Sequence, residues 1–200
     1  SKDFLHDLPG TFTVARCGDC GFMATNPRPD AEEIMTYYPE EYGPYQLNTG
    51  RVEKMVTHRT KHPFLFSLVD PRIFVVAREG CKKCALNVLE IGCGAGNFLY
   101  ELKLRYPSWN LRGSDFSVKS IETLKTKGIE AYVSNLRKLP EADHSQDAVY
   151  AFMIVEHLHF LEETLSEVKR VLKDDGRFVV AVPNIASWQF RVFGPYSYIL

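Results

Sequence analysis

From residue 86 to residue 183, short apolar runs alternate with apolar residues at helical spacing. Leu86–Ile91 is a mostly apolar run of strand length, which predicts a buried strand. Ala95, Phe98, Leu99 and Leu102 recur at helical spacing and predict the inner face of a helix that Pro107 ends. Leu111–Ser114 predicts a second strand. Val118, Ile121 and Leu124 predict the next helix face, with Gly128 placed to cap its C-terminal end. Ile129–Val133 and Ala148–Ile154 follow as third and fourth strands. Leu161, Leu165, Val168 and Leu172 predict one more helix face, and Arg177–Val182 a fifth strand stopped by Pro183. This alternation predicts an α/β fold, a mostly parallel sheet with helices on both faces.

Ahead of that region the pattern changes. Residues 1–45 are rich in Pro, Gly, Tyr and Cys and read as an irregular segment of turns and short elements. Residues 46–85 read as a helical cap or linker, in which Val52, Met55 and Val56 share a face and Arg51, Lys54, Arg59 and Lys61 lie elsewhere. The core is then residues 86–200. Two hundred residues with 45% apolar content suit one main domain with a small appendage.

Charge and cysteine usage narrow the partners. Lys and Arg number 24 against 25 Asp and Glu, so nothing in the balance favours a nucleic acid or an anionic membrane. No apolar run approaches the roughly 18–20 residues that span a bilayer. The nearest candidate, Phe64–Ala77, is broken by Asp70, Pro71 and Arg72. Without a secretory pattern, five cysteines predict a reducing, cytoplasmic setting rather than a disulfide framework. Ser1 in place of an initiator Met reads as a cut boundary.

Chemistry concentrates at Val88–Leu99, VLEIGCGAGNFL, where a strand passes through a glycine-rich turn into a helix. Gly92, Gly94 and Gly96 allow a tight turn and close approach of a ligand to the backbone. The spacing is G-x-G-x-G, and Asn97 stands where a dinucleotide-binding G-x-G-x-x-G/A turn has its third small residue. This turn resembles motif I of the class I S-adenosylmethionine (SAM) methyltransferases, which implies a Rossmann-like sheet. The resemblance implies that Glu90 attracts the cationic part of SAM, that amides beyond Gly94 suit its carboxylate, and that Cys93 and Asn97 belong to the same cofactor-binding turn. Glu90 as an ordinary strand-end residue is the alternative.

Asp115 lies 19 residues after Gly96, at the end of the predicted second strand, in GSDFS. The segment resembles the family's second motif, which implies ribose hydroxyls on Asp115 and adenine against Phe116. The alternative is a helix cap near Ser117. Ser134–Val149, SNLRKLPEADHSQDAV, resembles the third motif, with Asn135 in place of the family's Asp beside adenine and Leu136 next to it. Phe152–Leu158, FMIVEHL, resembles the family's "EH" segment, which implies Phe152 on the cofactor side of the cleft and His157 as a candidate general base. A structural His is the competing reading. Val182–Gly194, containing Asn184 and Ser187, resembles a stretch that shapes the acceptor pocket. Tyr37, Tyr38, Tyr42 and Tyr45 are expected to cover the cleft.

These resemblances imply transfer of a methyl group from SAM, leaving S-adenosyl-L-homocysteine (SAH), to a small-molecule acceptor, such as one of a sugar or cell-envelope pathway. The alternatives are an NAD-type oxidoreductase, or a SAM-binding module without turnover. The family normally closes its sheet with an antiparallel pair after the fifth strand. Only 18 residues remain after Val182, so that hairpin is expected to be missing and Leu200 reads as a truncation point. Finally, Cys17-Gly-Asp-Cys20-Gly with Asn26-Pro27-Arg28-Pro29 resembles the second half of a zinc ribbon. Structural zinc takes four ligands. Cys81 and Cys84 would complete such a set, two unrelated pairs are the alternative, and no metal ligand is assigned.

Overall fold

The computed structural model describes residues 12–38, 42–61 and 85–193. The chain divides into two compact units, residues 43–182 and residues 1–42 together with 183–200. In the smaller unit β1 (Thr13–Arg16) pairs antiparallel with β2 (Met23–Asn26). Cys17 and Cys20 sit in the turn between them, where the Cys17 amide donates to Phe22 O at 2.8 Å and Gly21 adopts a φ of +73°. Both thiols are exposed and free, and amides of Cys20 and Asp19 lower the Cys17 pKa. Cys81 and Cys84 lie outside the described residues. Among the described residues no three His, Cys, Asp or Glu side chains cluster as metal ligands would.

The described elements of the larger unit include a short 3-10 turn at Gly43–Tyr45, helix α1 (Thr49–Lys61), β3 (Asn87–Ile91), α2 (Asn97–Arg105), β4 (Asn110–Asp115), α3 (Val118–Lys125), β5 (Glu130–Val133), β6 (Gln146–Phe152), α4 (Leu161–Val171) and β7 (Leu172–Ala181). All neighbouring strands are parallel, in the order β5-β4-β3-β6-β7. This is the α/β fold that the alternation predicts, with the Rossmann-like sheet that the resemblance implies. The order reverses between β3 and β6, and open α/β sheets bind ligands beyond the strand ends at such a point.

Strand alternation feeds two core layers. Val88 and Tyr150 pack with Phe98, Leu99 and Leu102 of α2 and with Ile121 and Leu124 of α3. Leu89, Ile91, Val149 and Ala151 face the other way, onto Val168 and Val171 of α4 and onto Leu136 and Leu139. Those two leucines belong to the crossover from β5 to β6, residues 134–145, which contains no helix. Arg170 of α4 fastens this segment instead. Its guanidinium donates to Leu139 O at 2.9 Å, Glu141 O at 2.8 Å and Asp143 Oδ1 at 2.6 Å.

Several predicted details shift. The buried face of α4 is Thr164, Val168 and Val171, whereas Leu161 and Leu165 are 39% and 41% exposed. Thr164 can be buried because its hydroxyl donates to Phe160 O at 2.9 Å. Val118 likewise faces solvent, and Ser120 takes the inner position with Ile121 and Leu124. β6 ends at Phe152, leaving Ile154 in the turn beyond it. β7 begins at Leu172 rather than at Arg177, because a register shift sets Leu172 opposite Gln146 and Arg177 opposite Ala148. Among the described residues no strand pairs with the outer edge of β7.

Candidate active site

The turn between β3 and α2 is shaped by the protein's own packing. Gly92, Gly94 and Gly96 have φ angles of +66°, +51° and +79°, a region that side-chain-bearing residues rarely adopt. A Cβ on Gly92 would come within 2.5 Å of the Ile154 side chain, one on Gly94 within 2.5 Å of Pro44 O, and one on Gly96 would strike Leu124. Pro44, rather than a ligand, therefore makes the close approach at Gly94.

The amides of this turn are engaged in sequence. Cys93 donates to Ser114 O at 3.0 Å, Gly94 to Asp115 Oδ2 at 2.8 Å, Ala95 to Pro44 O at 2.9 Å, and Gly96 to Cys93 O at 2.9 Å. A phosphate cradle works by aiming unbonded amides at the anion. This turn does not offer them, and the predicted role of amides beyond Gly94 toward a carboxylate does not hold for Ala95 or Gly96. The side chains carry the opposite character. Glu90 and Asp115, at the C-terminal ends of β3 and β4, are 4% and 5% exposed. Burial pushes the Cys93 thiol well up, and the charges of Glu90 and Asp115 add to that shift. A thiol so placed stays protonated and fills space.

Asp115 also braces the backbone. Its second oxygen accepts from Ser117 N at 2.9 Å. Burial raises its pKa, against the lowering effect of the amides of Ser117, Gly94 and Phe116. The cap of α3 is Ser117, whose Oγ accepts from Ser120 N at 3.3 Å, so Asp115 is a brace at the strand end rather than the cap. Each carboxylate oxygen has a second lone pair, which leaves acceptor capacity for hydroxyl donors.

A segment ahead of α1 lies directly on the turn. Asn97 Oδ1 accepts from Asn48 N at 3.1 Å and its Nδ2 donates to Gln46 O at 2.9 Å. Asn48 in turn accepts from Arg51 N at 2.9 Å and starts α1, and Glu53 of α1 accepts from the Tyr100 hydroxyl at 3.0 Å. Tyr45 meets Phe116 edge-on, with ring centroids 6.0 Å apart. Sequence reasoning missed this use of Asn97 and the parts played by Pro44, Gln46 and Asn48. The Gly43-Pro44 pair and Asn48 do signal a turn and a helix start. No local signal shows that they pack on a turn some 50 residues later.

The remaining predicted residues are distributed around the strand ends. Phe152 is half-buried at the end of β6 and packs edge-on to Phe98 at 4.9 Å. Leu136, at a φ of +64°, buries its side chain in the core layer beneath α4, and its amide donates to Ser134 Oγ at 2.9 Å. Asn135 is exposed, and its Oδ1 accepts from Arg137 N at 3.2 Å. His157 lies in the turn after β6 with its Nε2 3.9 Å from Glu156 Oε1. Both carboxylate oxygens of Glu156 are buried without a hydrogen-bond partner, and that burial raises its pKa.

Comparison with known proteins agrees with this geometry. A family model described as "Methyltransferase domain" matches residues 89–180. These residues are a class I SAM-dependent methyltransferase domain. Across a wider stretch the chain is 35% identical over 112 residues to a ubiquinone/menaquinone biosynthesis C-methyltransferase of Desulfotalea psychrophila, covering 54% of this chain and 45% of that protein. It is 30% identical over 115 residues to a malonyl-[acyl-carrier protein] O-methyltransferase of Hahella chejuensis, covering 56% and 40%. The chain thus spans about half the length of these curated relatives, or less. In fold the methyltransferase domain resembles a crystal structure from Methanococcus maripaludis assigned as a SAM-dependent methyltransferase. The TM-score there is 0.50 at 19% identity, over 68% of this chain and 64% of that one. Among the described residues no helix is long and apolar enough to cross a membrane.

Proposed function

We propose that this protein transfers the methyl group of SAM to a small-molecule acceptor, releasing SAH. One observation carries the reading: a glycine-rich turn with four consecutive engaged amides, flanked by two buried carboxylates. That combination suits a ligand with a positive charge and hydroxyl donors, and disfavours the pyrophosphate of NAD. Glu90 would face the cationic end of SAM and Asp115 the ribose hydroxyls, with Phe116 beside adenine. Gly92, Cys93, Gly94 and Gly96 would form the floor, with Asn97 serving the site by holding the neighbouring backbone at Gln46 and Asn48, and Leu136 and Phe152 beside it. Asn135 would accept from the adenine amino group through the second lone pair of the Oδ1 that already receives Arg137 N.

Bound SAM supplies a methyl group on an already activated sulfonium leaving group. The chain's own contribution is alignment, exclusion of water and removal of one proton from the acceptor. His157 is the candidate proton acceptor, since imidazole titrates near neutrality. The relatives named above are a C-methyltransferase and an O-methyltransferase, so neither acceptor is carried over. Residues 46–85 would serve as a cap on the core, joined by Pro44 and Tyr45 from the end of the N-terminal segment 1–45. The cysteine usage of the sequence is the basis for placing it in a reducing, cytoplasmic setting. The test is incubation with methyl-labelled SAM and fractionated small-metabolite pools. Label should move into a small molecule and SAH should accumulate, whereas label appearing only in nucleic acid would overturn the acceptor class.

A further inference from the structure

We infer that Tyr45, outside the matched methyltransferase domain, forms with Phe116 the aromatic corner that receives the purine of the cofactor, and that Asn97 is the residue that positions it. The inference rests on the SAM reading of the site. Its basis is how the segment is held. Pro44 O accepts from Ala95 N at 2.9 Å and Gln46 O accepts from Asn97 Nδ2 at 2.9 Å, so the residues on both sides of Tyr45 are bonded to the glycine-rich turn or the helix it starts. Asn48 N adds a third bond, to Asn97 Oδ1 at 3.1 Å.

Among Gly43–Gln46 only the Tyr45 side chain is not exposed. Its ring stands at 82° to that of Phe116, with centroids 6.0 Å apart. Two rings at right angles make a corner in which a flat heterocycle can lie on one face and be bordered by the other. Phe116 directly follows Asp115, so the corner adjoins the carboxylate assigned to the ribose. The geometry therefore gives Tyr45 to the purine of the cofactor and not to the methyl acceptor. It also explains why Asn97 follows a glycine triplet. Both hydrogen-bonding ends of its amide read the backbone around Tyr45, which neither Ala nor Gly could do.

Calorimetric titration of the whole chain with SAH and, separately, with adenosine tests this. Tyr45→Ala should weaken both ligands by a similar factor of about ten, in the range for loss of a base–aromatic stack. Tyr45→Phe should bind as the parent does. Tyr45→Leu, which keeps bulk without an aromatic face, should weaken both ligands by the same factor and gives the readout where the alanine variant folds poorly. Asn97→Ala should weaken SAH in the parent but add nothing in a Tyr45→Ala background, because Asn97 acts only through Tyr45. Unchanged adenosine affinity in both Tyr45→Ala and Tyr45→Leu overturns the inference, as does an Asn97 effect that persists without the ring. A parent protein that binds no SAH overturns the SAM reading itself.

Discussion

Asp115 shows how one side chain at a strand end can serve folding and binding together. Its carboxylate holds the Gly94 amide at 2.8 Å and the Ser117 amide at 2.9 Å, so it fixes the glycine-rich turn and the entry to α3 at once. Removing it leaves two donors without their acceptor. Asp115→Ala is expected to lower folding stability by about 1–3 kcal/mol and to weaken SAH in the same variant. Ser117→Ala removes only a cap, at about 1 kcal/mol, and should leave SAH affinity unchanged. Urea denaturation and calorimetry on both variants check this, and a full loss of affinity in the cap variant would refute the assignment. The position of Asp115 was legible in the sequence because it follows a short apolar strand. Its second role was not, since Gly94 lies 21 residues away and only the fold brings them together. The bonding partners of Asn97 were illegible for a similar reason. Its spacing separates this turn from a dinucleotide-binding one, but its bonding partners lie 49 and 51 residues earlier.

At the scale of elements, the crossover between β5 and β6 is the instructive case. Alternating strands and helices were readable from apolar spacing, and every predicted core strand is present. The crossover 134–145 departs from that alternation, since it contains no helix. Its fastening was not readable, because Arg170 and Glu167 look like ordinary surface charges of α4. Glu167 accepts from Leu139 N at 2.8 Å and from Arg170, whose hydrogen bonds lead in holding its carboxyl down at about 2, against an ordinary 4.5. Because the folded-state pKa is depressed, the stability it adds is complete above about pH 4.5 and is lost as pH falls toward 2. Urea melts of the parent and Glu167→Gln should therefore differ at pH 6 and converge as the buffer is acidified through that window. Arg170→Met, which removes the bonds to Leu139 O and Glu141 O, is expected to cost about 1–3 kcal/mol at pH 6. A gap between parent and Glu167→Gln that stays constant with pH would show that the clamp does not hold the crossover.

For the molecule as a whole, the α/β core places two buried carboxylates and an anion-averse turn where the strand order reverses. Residues 44–48, outside the matched stretch 89–180, pack on that turn. Calorimetric titration of the purified chain with SAM, SAH and NAD is the most direct test of the SAM assignment. SAM and SAH should each bind with one-to-one stoichiometry, and NAD about a hundredfold more weakly or not at all, a gap of about 2.7 kcal/mol. NAD binding as tightly as SAH would contradict the assignment, because it would mean that the turn accepts a pyrophosphate despite its engaged amides.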